Sequence, residues 1–268
     1  MRSNKKQQPT FDSYIKINKE AWNKRTPIHL NSNFYNNTLF KQELNSLKPI
    51  EIEALGSVKG KSLLHLQCHF GQDSISLAKM GAKVTGVDFS NIAIAEARKL
   101  AHELNASVRF VEDDVLNLTL GKEFDVIFSS YGVLGWLPDL NQWGGKIAQH
   151  LKKDGVFLLT EFHPFLELIK NNGYDYFYNS KPDVEVANGS YTDGGNNLTT
   201  KTCWWNHSLT EIFEALENNG LKLKLFKEYD YSPFCLEGMV KFKNGKYVLK
   251  NRGNLSTPYV FNLKAVKK

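Results

Sequence analysis

Residues 62–90 read SLLHLQCHFGQDSISLAKMGAKVTGVDFS. Ser62–Gln67 is a short, nearly unbroken apolar run of strand length. Gln72–Met80 sets Ile75, Leu77, Ala78 and Met80 in a helical stretch that stops at Gly81, a residue suited to ending helices. Lys83–Asp88 is a second apolar run. Strand, tight loop, helix and strand in so short a span make one βαβ unit. Such units pair their strands in parallel through right-handed crossovers.

The same rhythm continues on the C-terminal side. Ser90 stands as an N-cap before the Ala-rich helix Asn91–Leu104. Ser107–Glu112 and Phe124–Ser129 read as strands, Asn141–Leu151 as a helix and Gly155–Phe162 as a fifth strand. Runs with no polar alternation fit a sheet buried on both faces. The expected fold is α/β: a Rossmann-like doubly wound sheet, mostly parallel with an antiparallel last strand, and helices on both faces. His207–Asn219 reads as a helix with Gly220 behind it, and Leu221–Tyr229 as a strand with one wet face. Gly245–Leu249 and Tyr259–Val266 are further strand candidates, the last pairing as an antiparallel edge. Before the core, helical stretches are expected at Asp12–Lys24, broken by Pro27, and at Leu39–Leu55, restarting at Pro49. Four segments follow: an N-terminal helical segment or lid at 1–56 that begins with a disordered 1–10, a cofactor-binding core at 57–163, an insertion at 164–206 covering the substrate site, and C-terminal completion of the sheet at 207–268.

In an open α/β sheet, ligands bind beyond the carboxyl ends of the strands, where strand order reverses. The loop Gln67–Gly71 falls there. Asp88 ends the second strand, and an ionised carboxylate, being acceptor-only, suits both hydroxyls of a ribose; capping the next helix is its other use. Asp113 or Asp114, after the third strand, can meet an adenine edge. A dinucleotide would need G-x-G-x-x-G for its pyrophosphate. Gln67 and His69 occupy places where that loop wants small residues, which counts against a dehydrogenase. S-adenosylmethionine has no phosphate and fits the remaining set.

These residues, with "FVEDDVLNL", "FDVIFSS" and "LKKDGVFLLTEFHP", resemble the class I S-adenosylmethionine-dependent methyltransferases. The phrase HLQCHFG resembles a bacterial subgroup with a variant first motif. The family writes that motif acidic-x-Gly-x-Gly-x-Gly; here His65, Gln67, His69 and Gly71 stand in those places. An acidic residue there commonly orders the loop or helps to hold the methionine amino group. The resemblance implies methyl transfer by in-line displacement, with S-adenosylhomocysteine as product. It implies cofactor contacts from Gln67, His69, Gly71, Asp88, Phe89, Asp113, Asp114, Val115 and Ser130, with Gln67 and His69 offering donors to the cofactor carboxylate. Tyr131 and Trp136 after the fourth strand are candidate walls of the acceptor pocket, Tyr131 being also a catalytic candidate, and Glu161 is a candidate acceptor contact. His163 is either a base for the acceptor or a satisfied buried histidine, and His207 either a substrate contact or a helix cap. Trp22, His29 and Tyr35 belong either to a lid or to plain packing.

Composition sets the outer limits. The chain has 268 residues, 34 Lys+Arg against 28 Asp+Glu, and 17 Phe, 11 Tyr and 5 Trp. That supports a sizeable core and an aromatic pocket. The +6 charge is scattered and interleaved with acids, apart from the two tips. It reads as solvated surface, so nucleic acid is not the expected partner and a small-molecule methyl acceptor is. The fourth strand also lacks the Asp/Asn-Pro-Pro-Tyr pattern of base-nitrogen methylation. A protein that binds the cofactor without turnover, or a nucleic-acid methyltransferase, is the alternative. Three widely spaced cysteines point to free thiols in a reducing compartment. No apolar run has membrane-spanning length, and a cytoplasmic protein is expected. His65, Cys68 and His69 are adjacent but do not read as a metal site, since alternation sends the first two to opposite faces.

Overall fold

A computed structural model describes residues 10–170, 175–251 and 256–268; the disorder expected for 1–10 falls, except for Thr10, outside them. The chain begins with α1 (Phe11–Leu30), α2 (Asn37–Glu43) and α3 (Pro49–Leu55). Pro27 does not break α1. It sits in the last turn, where its missing N–H costs one bond, and burial of Thr26 and His29 holds the turn in place. The stretch expected at 39–55 is two helices. Leu44, with φ 55°, ends the first, and Pro49 opens the second at a position where a missing N–H costs nothing.

The core then alternates: β1 (Ser62–Leu66), α4 (Gln72–Lys79), β2 (Lys83–Asp88), α5 (Asn91–Glu103), β3 (Val108–Glu112), β4 (Phe124–Ser130), a 3₁₀ turn at Leu134–Trp136, α6 (Leu140–His150) and β5 (Leu151–Phe162). Ser90 caps α5, its hydroxyl accepting from Ala93 N at 3.1 Å, and Asp139 caps α6 through Gln142 N. Residues 164–206 contain α7 (Pro164–Lys170) and a hairpin of β6 (Asp183–Asn188) and β7 (Thr199–Trp204). Next come α8 (Leu209–Glu217), β8 (Leu221–Tyr229), the hairpin β9 (Met239–Lys243) with β10 (Lys246–Leu249), and β11 (Val260–Lys267).

Seven strands form one sheet in the order β3-β2-β1-β4-β5-β11-β8, with only β11 antiparallel to its neighbours. The direction of the last strand is as expected; its place is not. β11 lies inside the sheet, with Val260, Phe261 and Leu263 fully buried, while β8, whose Leu/Lys alternation leaves much of it wet, takes the edge. The strand near 245–249 belongs to the separate β9–β10 hairpin rather than to this sheet.

Neighbouring residues of β1 serve opposite faces: Leu64 packs with Trp143, Ile147 and Leu216 from α6 and α8, Leu63 with Ala54, Val58 and Leu77 on the α3–α4 side. Strand order reverses between β1 and β4. The crevice above that point is roofed by α1, the loop after it, and β7. Asn18 on α1 binds both backbone groups of Cys203, each at 2.8 Å, so helix and hairpin meet as one cover.

Candidate cofactor and acceptor cavity

The loop after β1 decides the shape of the site. Gln67, His69 and Gly71 have φ of 53°, 50° and 84°. Alternate residues thus take the left-handed conformation, and two of the three carry side chains. Each such residue costs about 1–2 kcal/mol against a right-handed one. Local bonds hold the turn: Cys68 N donates to Val87 O at 2.9 Å, His69 N to Asp88 Oδ2 at 2.9 Å, and Gln67 Nε2 to Val133 O at 2.9 Å. Gly71 has no such freedom. A Cβ there would lie 2.6 Å from the Phe110 ring. Space explains which glycine position stays glycine: Gly71 abuts the core, while Gln67 and His69 face an open cavity.

That cavity measures about 730 Å³ and runs along the carboxyl ends of β1, β2 and β4. Gln67, His69, Gly71, Asp88, Phe89, Asp114, Val115, Ser130, Tyr131 and Trp136 all line it. At one end Asp88 is 7% exposed; Oδ2 accepts from His69 N and Oδ1 from Ser90 N at 2.8 Å. Burial pushes its pKa up to about 6, against the pull of those two donors and of Lys19. Each oxygen has capacity left for one more donor, which is what a vicinal diol offers. Asp114 is committed to its own turn, through Leu116 N and Asn117 Nδ2, both at 3.0 Å. Asp113 is not in this cavity; it faces a separate depression with Asp12, Lys16 and Lys19.

At the other end the walls are aromatic. Tyr131 (φ 47°) packs on Phe162 and Phe234, and its buried hydroxyl has no partner. Burial lifts that phenol well above its ordinary pKa, so it is neutral. Trp136 meets Trp22 and Trp204 edge-on. Trp22 and Tyr35 come from the N-terminal segment and line the cavity, and Tyr191 comes from the insertion.

His29 reaches the loop from α1. Its Nδ1 is 2.9 Å from His69 Nε2, and its Nε2 is 2.7 Å from Ser190 Oγ. Burial holds both rings neutral, His29 at about 3 and His69 well below its ordinary value.

The structure does not bring Glu161, His163 or His207 to this cavity. The buried Glu161 carboxylate turns back under the loop after β4 and accepts from the backbone N–H of Gly132, Val133, Leu134 and Phe162. His163 is buried beside β8, with Nε2 3.0 Å from Glu228 and Nδ1 accepting from Phe165 N. His207 donates from Nε2 to Leu137 O at 2.9 Å, faces Glu211 and stacks on Tyr178. Trp143 is core.

Sequence reasoning missed five lining residues of ionisable type: Glu43, Lys48, Glu51, Asp73 and Glu237. Asp73, in the first turn of α4, accepts from Ser46 Oγ at 2.5 Å and lies 3.5 Å from Ser130 Oγ. Glu51 and Lys48 come from the start of α3. The signal for Asp73 was its spacing: two residues after Gly71, it has to stand at the helix terminus facing the crevice. Among the described residues, no three His, Cys, Asp or Glu side chains gather as metal ligands, and no helix is long and apolar enough to cross a membrane.

Known proteins share this architecture. Residues 63–155 match the family described as a methyltransferase domain. A malonyl-[acyl-carrier protein] O-methyltransferase of Bacillus cereus is 33% identical over 126 residues, 46% of this chain and 45% of that one. A ubiquinone biosynthesis O-methyltransferase of Coxiella burnetii is 30% identical over 169 residues, 60% of this chain and 65% of its own. The chain therefore spans roughly half to two thirds of these relatives. The solved magnesium protoporphyrin IX methyltransferase of Synechocystis, with bound S-adenosylmethionine, superposes with a TM-score of 0.56 at 17% identity, covering 98% of this chain and 99% of that one. At that identity the likeness is one of fold.

Proposed function

We propose that this chain, whose residues 63–155 match the methyltransferase-domain family, is a class I S-adenosylmethionine-dependent methyltransferase that transfers the cofactor's methyl group to a small-molecule acceptor held in the aromatic end of the cavity. The observation that carries the reading is Asp88. A buried carboxylate at the end of β2 that lines the cavity, with no ion pair among the described residues, suits a ribose diol. Phe89 and Val115 flank an adenine slot beside Asp114, and the turn at Gln67–Gly71 leaves room for the methionyl chain. The buried acceptor Gln67 Oε1 and the buried His69 Nδ1 are without partners, which fits a site completed by a polar ligand.

When bound, S-adenosylmethionine supplies a methyl group on a sulfonium that a nucleophile can displace in line. The protein's part is positioning and exclusion of water. Trp136 and Tyr131 set the wall against which an acceptor lies, and most of the rate comes from holding the reacting atoms in line. The neutral Tyr131 hydroxyl can bond the acceptor atom and fix its lone pair. Aromatic faces suit a cationic centre whose charge disperses during transfer. His163 and His207 lie outside the cavity and are given no contact with the acceptor. The small-molecule reading rests on the aromatic-walled cavity and on similarity to O-methyltransferases. Calorimetric titration with S-adenosylhomocysteine tests the site: micromolar binding is expected, and none sinks the proposal. Release of S-adenosylhomocysteine across an acceptor panel tests turnover.

A further inference from the structure

S-adenosylmethionine carries an ammonium as well as a sulfonium, and an ammonium entering a closed cavity needs acceptors. The position where the family motif has an acid is filled here by His65. Its ring is 2% exposed and bonded to Ser74 Oγ at 2.8 Å, and burial brings its pKa down to about 4. A neutral, spoken-for imidazole offers a cation nothing comparable to a carboxylate.

Asp73 is placed to do so. β1 and β4 pair in parallel with His65 opposite Phe128, and Gln67, just past the end of β1, and Ser130, the last residue of β4, both line the cavity. The Asp73 carboxylate meets the Ser130 hydroxyl there and is steadied by Ser46. Among the described residues no cation pairs with it, and Lys48 is the only lysine or arginine of the cavity wall. The other acids of the wall are placed differently. Asp114 is bound in its own turn, Asp88 sits over the ribose position, Glu51 accepts from Lys48 N and is pushed well above the usual carboxylate range by burial, and Glu43 and Glu237 are exposed to solvent. Burial is the main cause of the shifts around the crevice, and the charge of Asp73 adds to the rise at Glu51, Tyr35, Cys68 and Tyr131 and partly offsets the fall at His65. On the wall of the same cavity, the unpartnered Gln67 Oε1 is a second acceptor.

We propose that Asp73, with Gln67 Oε1, receives the methionyl ammonium, so that the anionic contact missing from the loop after β1 is supplied from the first turn of α4. The proposal rests on the cofactor reading above and deepens it. In chemical terms the site selects an α-amino acid attached to a nucleoside, not a nucleoside alone.

The test compares two ligands by calorimetry on the full chain. S-adenosylhomocysteine carries the ammonium; 5′-methylthioadenosine carries the same nucleoside without it. In Asp73→Asn, affinity for S-adenosylhomocysteine should fall by about 10–100-fold, the range for losing a charge-assisted bond. Affinity for 5′-methylthioadenosine should stay within about twofold. Asp73→Glu should recover part of the loss, as a merely structural role in the Ser46–Ser130 contact would not require. An unchanged S-adenosylhomocysteine affinity, or an equal fall for both ligands, overturns the assignment. If the unaltered protein binds neither ligand, the cofactor reading fails and takes this assignment with it.

Discussion

Lowering the pH from 7 to 5 should weaken binding of S-adenosylhomocysteine about tenfold, through Asp88. A ribose diol donates two hydrogen bonds, and the carboxylate receives both only when ionised. With its pKa at about 6, roughly nine-tenths of the free protein is ionised at pH 7 and about one-tenth at pH 5. The ratio of those fractions is the expected loss in affinity. The histidines of the site do not add to it: His29 at about 3 and His65 at about 4 are neutral across the window, and His69 lies well below its ordinary value. Glu51, Asp114 and Glu161 are also raised by burial, so Asp88→Asn is the necessary control. That variant should bind weakly with no slope of this size. The free protein should show the reverse trend. A carboxyl whose folded pKa is raised stabilises the fold at low pH, and that contribution is lost as pH rises through about 6. For Asp88, at 1.36 kcal/mol per unit, it amounts to about 3 kcal/mol. Calorimetry at both pH values, at constant ionic strength, measures the first effect. Affinities equal within twofold, or a tenfold slope that persists in Asp88→Asn, would refute the reasoning.

Other outcomes follow from the same structure. Gly71→Ala should destabilise the protein by about 2 kcal/mol or more in urea denaturation, since the new methyl meets Phe110 and the backbone is left-handed. Glu161→Gln should cost about 2 kcal/mol of stability, because one oxygen facing buried N–H donors becomes an amide nitrogen; melting curves report it. His163→Gln should leave S-adenosylhomocysteine affinity within about twofold, its ring being turned to Glu228 and away from the cavity.

Much of the cavity at the ends of β1 and β2 was legible in sequence. Asp88 and Gly71 follow from where β1 and β2 end, and strand ends are marked locally by the switch from apolar runs to Gly, Asp and Ser. The acceptor end was less so. Glu161 and His163 end β5 beside the same crevice, yet the turn after β4 draws the Glu161 carboxylate under its own backbone, and β8 presents Glu228 to His163. Neither β4's turn nor β8's place in the sheet is encoded near residue 161. The variant loop shows the limit from the other side. Its missing glycines say nothing of the backbone: Gln67 and His69 adopt left-handed angles, held there by the bonds to Val87, Asp88 and Val133.

By itself the sequence determined the parallel core, the element order from β1 to β5 and the position of the site at their carboxyl ends, because hydrophobic period and helix caps act over a few residues. Only the tertiary structure decided that β11 enters the sheet between β5 and β8, that His29 meets His69 across forty residues, and that Asp73 stands beside Ser130. Those contacts depend on strand order and side-chain direction, and a shift of one residue along a strand reverses the face on which every side chain falls.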